Sequence, residues 1–245
     1  MDNALYVGLS RQMTLRRELD IVANNIANAN TTGFKVEDLM VRTEQAKPAK
    51  TLDGASPVKF VMDTGVARDF TQGAMTKTGG DFDLAIEGVG FFKVQTADGE
   101  RYTRDGRFTT NPEGQLVTQA GSPVLDEGGG QITIDPTLGP VTVGKDGIVS
   151  QGAVRAGKIA VVRPDDLGSL AKEGDNLYRN TANTTLQPVT DVQVHQGMLE
   201  SSNVKPVIEI TRLIEIQRAY ESVARMMDNT AELSRTAVER LGKVN

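Results

Sequence analysis

The sequence predicts an α+β chain: long N- and C-terminal helices paired in a coiled-coil-like layer, with an all-β domain inserted between them. Three observations carry this expectation. Apolar residues recur at alternating three- and four-residue spacing over both chain ends, the pattern of a narrow seam along one helix face. Between the ends, short apolar–polar alternations are separated by turn-forming residues, the texture of strands. The 245 residues include 25 glycines but only 4% aromatics and no tryptophan. That balance suits thin β-structure with many turns better than a thick, aromatic-anchored interior.

Over residues 3–29, Leu5, Gln12, Leu19 and Ile26 repeat every seven residues, with Gly8, Leu15, Val22 and Ala29 three places later. Thr31-Thr32-Gly33 supplies the stop, because Gly33 can take the left-handed conformation that ends helices. At the other end Asn203 is a candidate cap, and Pro206 falls in a first turn, where backbone N–H groups have no intrahelical partner. From Val207 to Leu241, Ile210, Gln217, Ala224, Ala231 and Val238 form one column and Leu213, Tyr220, Met227, Ser234 and Leu241 the other. Glu209, Arg212, Glu215, Arg218, Glu221 and Arg225 read as an outer face of alternating sign. A pattern this long points to a coiled coil or helical array rather than an ordinary globular helix.

Between the helices, Phe82, Leu84 and Ile86 alternate, as do Phe92 and Val94, Ile132 and Ile134, and Val141 and Val143. Turns are expected at Asp98-Gly99, Asp105-Gly106, Asn111-Pro112-Glu113-Gly114, Gly128-Gly129-Gly130 and Asp146-Gly147. Residues 36–72 show little periodicity and several breakers (Pro48, Gly54, Pro57, Gly65) and read as an extended connector. The expected organisation is therefore a discontinuous helical assembly domain of residues 1–35 and 203–245, a connector at 36–72, and an all-β domain at 73–202. A two-helix hairpin leaves most of its surface open, and isolated helices are marginal in water. Identical or related chains are expected to supply the missing faces.

Composition excludes several functions. A net charge of −5 offers no field for a phosphate backbone, so no nucleic-acid partner is expected. The absence of cysteine excludes disulfides, thiolate chemistry and cysteine-based metal sites. No apolar run approaches the ~18 residues of a membrane span, so no direct membrane insertion is expected, and the N-terminal residues lack the features of a cleaved leader. His195 is the only histidine; Asp191, Ser201 and Ser202 lie near it in sequence, which does not make a triad. Asp81 and Asp83 lack the remaining oxygens of a calcium loop, and Gly88-x-Gly90 is followed by a strand pattern rather than the helix a nucleotide site requires. No catalytic, cofactor or metal site is expected. Four asparagines, Asn24, Asn25, Asn28 and Asn30, crowd one helix end where their propensity is mediocre. Their density suggests amides that hydrogen-bond between neighbouring subunits and penalise wrong registers.

These stretches resemble a known family. The run Val22-Ala23-Asn24-Asn25-Ile26-Ala27-Asn28-Ala29-Asn30-Thr31-Thr32-Gly33-Phe34-Lys35 is similar to the amino-terminal motif of bacterial flagellar rod and hook proteins. The middle resembles them at Gly88-Val89-Gly90-Phe91-Phe92, Tyr102-Thr103-Arg104-Asp105-Gly106-Arg107-Phe108 and Gly114-Gln115-Leu116-Val117-Thr118. The far end does so at Gln196-Gly197-Met198-Leu199-Glu200-Ser201-Ser202-Asn203-Val204 and Gln217-Arg218-Ala219-Tyr220-Glu221. The opening residues and compact middle look most like the proximal-rod branch, with the distal-rod branch as rival. An exported oligomeric binding module or adhesin is the alternative from another class. The resemblance implies a non-enzymatic axial subunit of the basal-body rod spanning the periplasm. It also implies partners among copies of itself, neighbouring rod proteins and the flagellar export apparatus, with export without a cleaved signal peptide. The residues expected at the assembly interface are Leu15, Leu19, Val22, Asn24, Asn25, Ile26, Asn28, Ile210, Leu213, Ile214, Tyr220 and Met227.

Overall fold

A computed structural model describes residues 2–45, 59–182, 186–189 and 193–241. Pro48, Gly54, Pro57 and Asp191 lie outside the described residues. Helices run over Asp2–Ala27 (α1) and Pro206–Leu241 (α2), close to the expected spans. At ~1.5 Å per residue they are about 39 and 54 Å long. After α1 the backbone turns through Asn28–Thr31, and Gly33 takes the left-handed conformation at φ 69°, as the stop motif requires.

The chain divides into two compact units. The helical unit comprises the residues up to Ala27, residues 37–69, and those from Lys205 onward. Besides both helices it contains an antiparallel ribbon of β1 (Glu37–Gln45) and β2 (Lys59–Arg68), paired from Glu37↔Arg68 to Gln45↔Lys59 with a bulge between Met40 and Val41. Where the burial of β1 is described, Glu37 at its base is buried, Asp38 and Leu39 are half-buried, and Met40, Val41 and Arg42 are exposed, so no inside–outside alternation marks this stretch in the sequence. A two-stranded ribbon is marginal alone, and this one packs against α1.

The second unit, residues 28–36 and 70–204, is built of short strands. In order these are β3 (Met75–Lys77), β4 (Leu84–Glu87), β5 (Phe91–Thr96), β6 (Gly99–Thr103), β7 (Phe108–Thr110), β8 (Leu116–Thr118), β9 (Val141–Val143), β10 (Ile148–Gln151), β11 (Val154–Lys158), β12 (Val161–Arg163), β13 (Leu170–Lys172), β14 (Leu177–Asn180), β15 (Gln187–Pro188), β16 (Gln193–Gln196) and β17 (Met198–Glu200). All paired strands are antiparallel. The largest sheet has the order β13-β14-β6-β5-β12-β15, accompanied by a β11-β10-β9 sheet and the pairs β16-β4, β17-β3 and β7-β8. The short helix-bound segment 28–36 groups with these strands rather than with the helices, because its backbone bonds to β17.

Consecutive side chains of a strand point to opposite faces, and Phe91 and Phe92 of β5 use both. Phe92 enters the main core with Leu84, Val94, Phe108, Ile132 and Ile159. Phe91 enters a smaller core with Tyr102, Val162, Leu170 and Tyr178. Edge-to-face contacts at 5.1 Å for Phe92–Phe108 and 5.7 Å for Phe91–Tyr178 gather these aromatics around the two faces of β5. Burial, reinforced by the Glu100 carboxylate, pushes the Tyr102 phenol up to about 12. An unfolded tyrosine ionises near ~10, so the unfolded chain releases this proton first. The contribution is intact below about pH 10 and is lost as pH rises from about 10 to 12. Between about pH 9 and 11, the fall in denaturation midpoint is therefore expected to be smaller in Tyr102→Phe than in the parent.

Candidate assembly interface

In the helical unit, α1 and α2 run antiparallel: Gly8 lies against Met227 near one end and Asn25 meets Glu209 near the other. Leu15, Val22 and Ile216 are fully buried between the helices, with Leu19, Ile26, Leu213, Ala219, Tyr220 and Val223 packed around them. A Cβ on Gly8 would come within 2.8 Å of the Met227 side chain, so this glycine permits a close helix approach. Of the expected α1 columns, Gly8, Leu15, Leu19, Val22 and Ile26 face α2, while Ala29 lies beyond the helix end. On α2 the Leu213, Tyr220 and Met227 column faces inward, but its companion is Glu209, Ile216 and Val223 instead of Ile210, Gln217 and Ala224. Both choices satisfy three-then-four spacing; the polar anchor at Glu209 fixes which one the helix uses.

That anchor also places the asparagines. Asn25 is completely buried. Its Nδ2 donates to the Glu37 carbonyl at 2.8 Å and to Glu209 Oε2 at 3.0 Å, and its Oδ1 accepts from the Glu37 N–H at 3.0 Å. Asn25 therefore joins α1, β1 and α2 within one chain and offers nothing to a neighbour. Asn28 accepts from the Thr31 hydroxyl at the helix end, and Asn24 is exposed. Glu209, expected on the outer charged face, is buried at 5% exposure, a position the sequence could have flagged only through Asn25. Around it, Glu37 accepts from Arg68 Nε at 2.7 Å, and Arg212 pairs with Asp38 and, at 3.7 Å, with Glu18. Burial works against the Arg212 charge, yet Asp38, Glu18 and Glu209 outweigh it and hold the guanidinium above its ordinary value.

The expected interface residues thus fall into two sets. Leu15 and Val22 are consumed inside the chain, as to a lesser degree are Leu19, Ile26, Leu213, Tyr220 and Met227. Ile210 and Ile214 face outward, at 47% and 43% exposure. They belong to a larger set of outward apolar residues: Tyr6, Leu9 and Met13 on α1, and Val207, Ile208, Met226, Leu233 and Val238 on α2.

His195 Nε2 lies 2.7 Å from Glu87 Oε2 across the β16–β4 pair, and Asp83 accepts from Thr78 at 2.6 Å. Among the described residues no three His, Asp or Glu side chains are placed to hold a metal ion. No described helix is long and apolar enough to cross a membrane.

Comparison with known proteins agrees with this architecture. Three family models match in order along the chain. "Flagella basal body rod protein" covers residues 5–35, "Flagellar hook protein FlgE/F/G D1 domain" residues 85–151, and "Flagellar basal body rod FlgEFG protein C-terminal" residues 195–240. The chain is 86% identical to the flagellar basal-body rod protein FlgF of Caulobacter vibrioides over the full length of both. It is 40% identical to FlgF of Mesorhizobium japonicum over 99% of each chain. It is 34% identical to the rod protein FlgG of Buchnera aphidicola subsp. Schizaphis graminum, over 88% of this chain and 90% of that one. A helix pair exposing apolar residues is in keeping with this likeness, which runs along the whole chain and leads to one conclusion: the chain belongs to the flagellar basal-body rod protein family, on its proximal-rod FlgF branch, a family of structural subunits and not of enzymes.

Proposed function

We propose that the α1–α2 pair polymerises, in a coiled-coil-like layer, with copies of this chain and with neighbouring rod proteins to build the torque-transmitting shaft that crosses the periplasm. The chain reaches that place through the flagellar export apparatus. One observation supports the reading above the rest: the seam between the helices is already filled by residues of the same chain, yet their outer surfaces remain apolar at Tyr6, Met13, Ile210, Ile214 and Leu233. Apolar residues gathered on such an outer surface mark an interaction site. Repeated heterologous contacts that do not close into a ring generate a filament, the form a shaft needs.

Ile210→Glu and Ile214→Glu test this directly. Both residues face away from the helix seam, so the monomer's melting transition is expected to stay within about 0.5 kcal/mol of the parent. Incorporation into purified basal bodies and swimming are both expected to be lost. Normal incorporation of both variants would overturn the reading.

A further inference from the structure

Four separate stretches of sequence meet in the β unit at one buried carboxylate. Glu200, at the end of β17, is 1% exposed. Its Oε1 accepts from Lys35 Nζ at 2.6 Å and from the Gly73 N–H at 2.9 Å, and its Oε2 accepts from Arg104 Nη1 at 3.0 Å. Lys35 Nζ also donates to the Thr71 carbonyl at 2.6 Å. Arg104 donates to the Gly88 and Ile86 carbonyls and lies over the Phe91 ring, 5.4 Å from its centroid. The backbone is stitched along the same line: the Gly33 N–H donates to the Glu200 carbonyl, the Ser201 N–H to the Ala74 carbonyl, and the Val36 N–H to Asn203 Oδ1.

Two cations and one carboxylate in a buried interior make a poor source of stability, since apolar residues of similar volume often serve as well or better. Their placement explains them better. Lys35, Gly73 and Glu200 lie on the three segments by which the chain enters and leaves the β unit, next to the unit's limits at residues 36, 70 and 204. Burial presses the Arg104 guanidinium below its ordinary value, while the charge and hydrogen bond of Glu200 oppose that shift; the cation depends on this carboxylate.

We infer that Glu200 is the positioning residue of a three-way clamp, holding segments 31–36, 71–74 and 200–204 at fixed spacing through Lys35 and Arg104. It is buried inside its own unit, so its influence on assembly is indirect. The clamp concerns the isolated chain, and its test is independent of the polymerisation proposed above.

The test is hydrogen exchange on the full-length chain, read at the Gly33, Gly73 and Ser201 amides with β5–β6 amides as reference. In Glu200→Gln, protection of the three clamp amides is expected to fall about 100-fold or more, the scale of breaking a buried ion pair, with the reference amides unchanged. Unchanged protection at the clamp overturns the inference. If Glu200→Gln instead loosens the whole unit, Lys35→Met decides, because it leaves the Glu200–Arg104 pair intact. Loss confined to Gly33 and Gly73 supports the clamp, and uniform loss or none overturns it.

Discussion

Gly106→Ala is expected to prevent the β unit from folding. A Cβ at this position would stand 1.6 Å from the Leu84 carbonyl oxygen, 2.7 Å from its carbon and 3.3 Å from the Phe92 ring. The first two are main-chain atoms of β4, and the third belongs to a fully buried core residue. Moving the segment away would also break the bonds that the Gly106 carbonyl accepts from the Leu84 and Phe108 N–H groups, both at 3.0 Å. Overpacking against a rigid interior costs 1–3 kcal/mol when side chains can yield; against backbone, a loss above about 4 kcal/mol is expected. Denaturant unfolding of the full-length variant, or its failure to accumulate in soluble form, measures this. Gly99→Ala is the control: its Cβ would meet only the tip of Arg101 at 3.7 Å, so the cost reduces to the left-handed backbone at φ 105°, on the order of 1–3 kcal/mol. Equal midpoints for the two variants would refute the packing described.

Asn25→Ala is expected to destabilise the helical unit by about 2–4 kcal/mol, because the N–H of Glu37, its carbonyl and the Glu209 carboxylate lose a partner in a buried place. Asn25→Asp is expected to be worse although it is nearly isosteric. An ionised aspartate can still accept from the Glu37 N–H, but it has no hydrogen to offer the two oxygens that Nδ2 serves. It would also set a second carboxylate against Glu209. Thermal unfolding followed by helical circular dichroism at two protein concentrations is the measurement. Because the partners belong to the same chain, the loss is expected in dilute monomer and independent of concentration. A loss that emerges only on polymerisation would restore the idea of inter-subunit amides.

The elements were readable where local chemistry sets them. Three-then-four spacing and the stop at Gly33 place α1, and Pro206 with an uninterrupted run to Leu241 places α2. Turn residues divide the middle into strands because the strands are short and the turn at each end is local. What depends on distant partners was less readable. The rotation of α2 could not be chosen by apolarity, since Ile210 and Ile216 suit the seam equally; Asn25 chose it. Asp105-Gly106 reads as a turn, but the reason no side chain fits there lies in β4. Lys35, Arg104 and Glu200 are ordinary charges in sequence and become a cluster only after three segments converge. The apolar residues of both helices were legible, while their division between the chain's own seam and its outer surface required the fold.

The ribbon has a consequence for how this molecule can change. Its pairing is fixed at the base, where Glu37 is held by Asn25 and Arg68, while the exposed residues farther along β1 bury almost nothing. Adding two residues to each strand would keep every existing side chain on its side and extend the ribbon by about 7 Å. Reach is therefore an adjustable dimension of this subunit, separable from the part that holds it together, and insertions there are the changes a lineage could accumulate most freely.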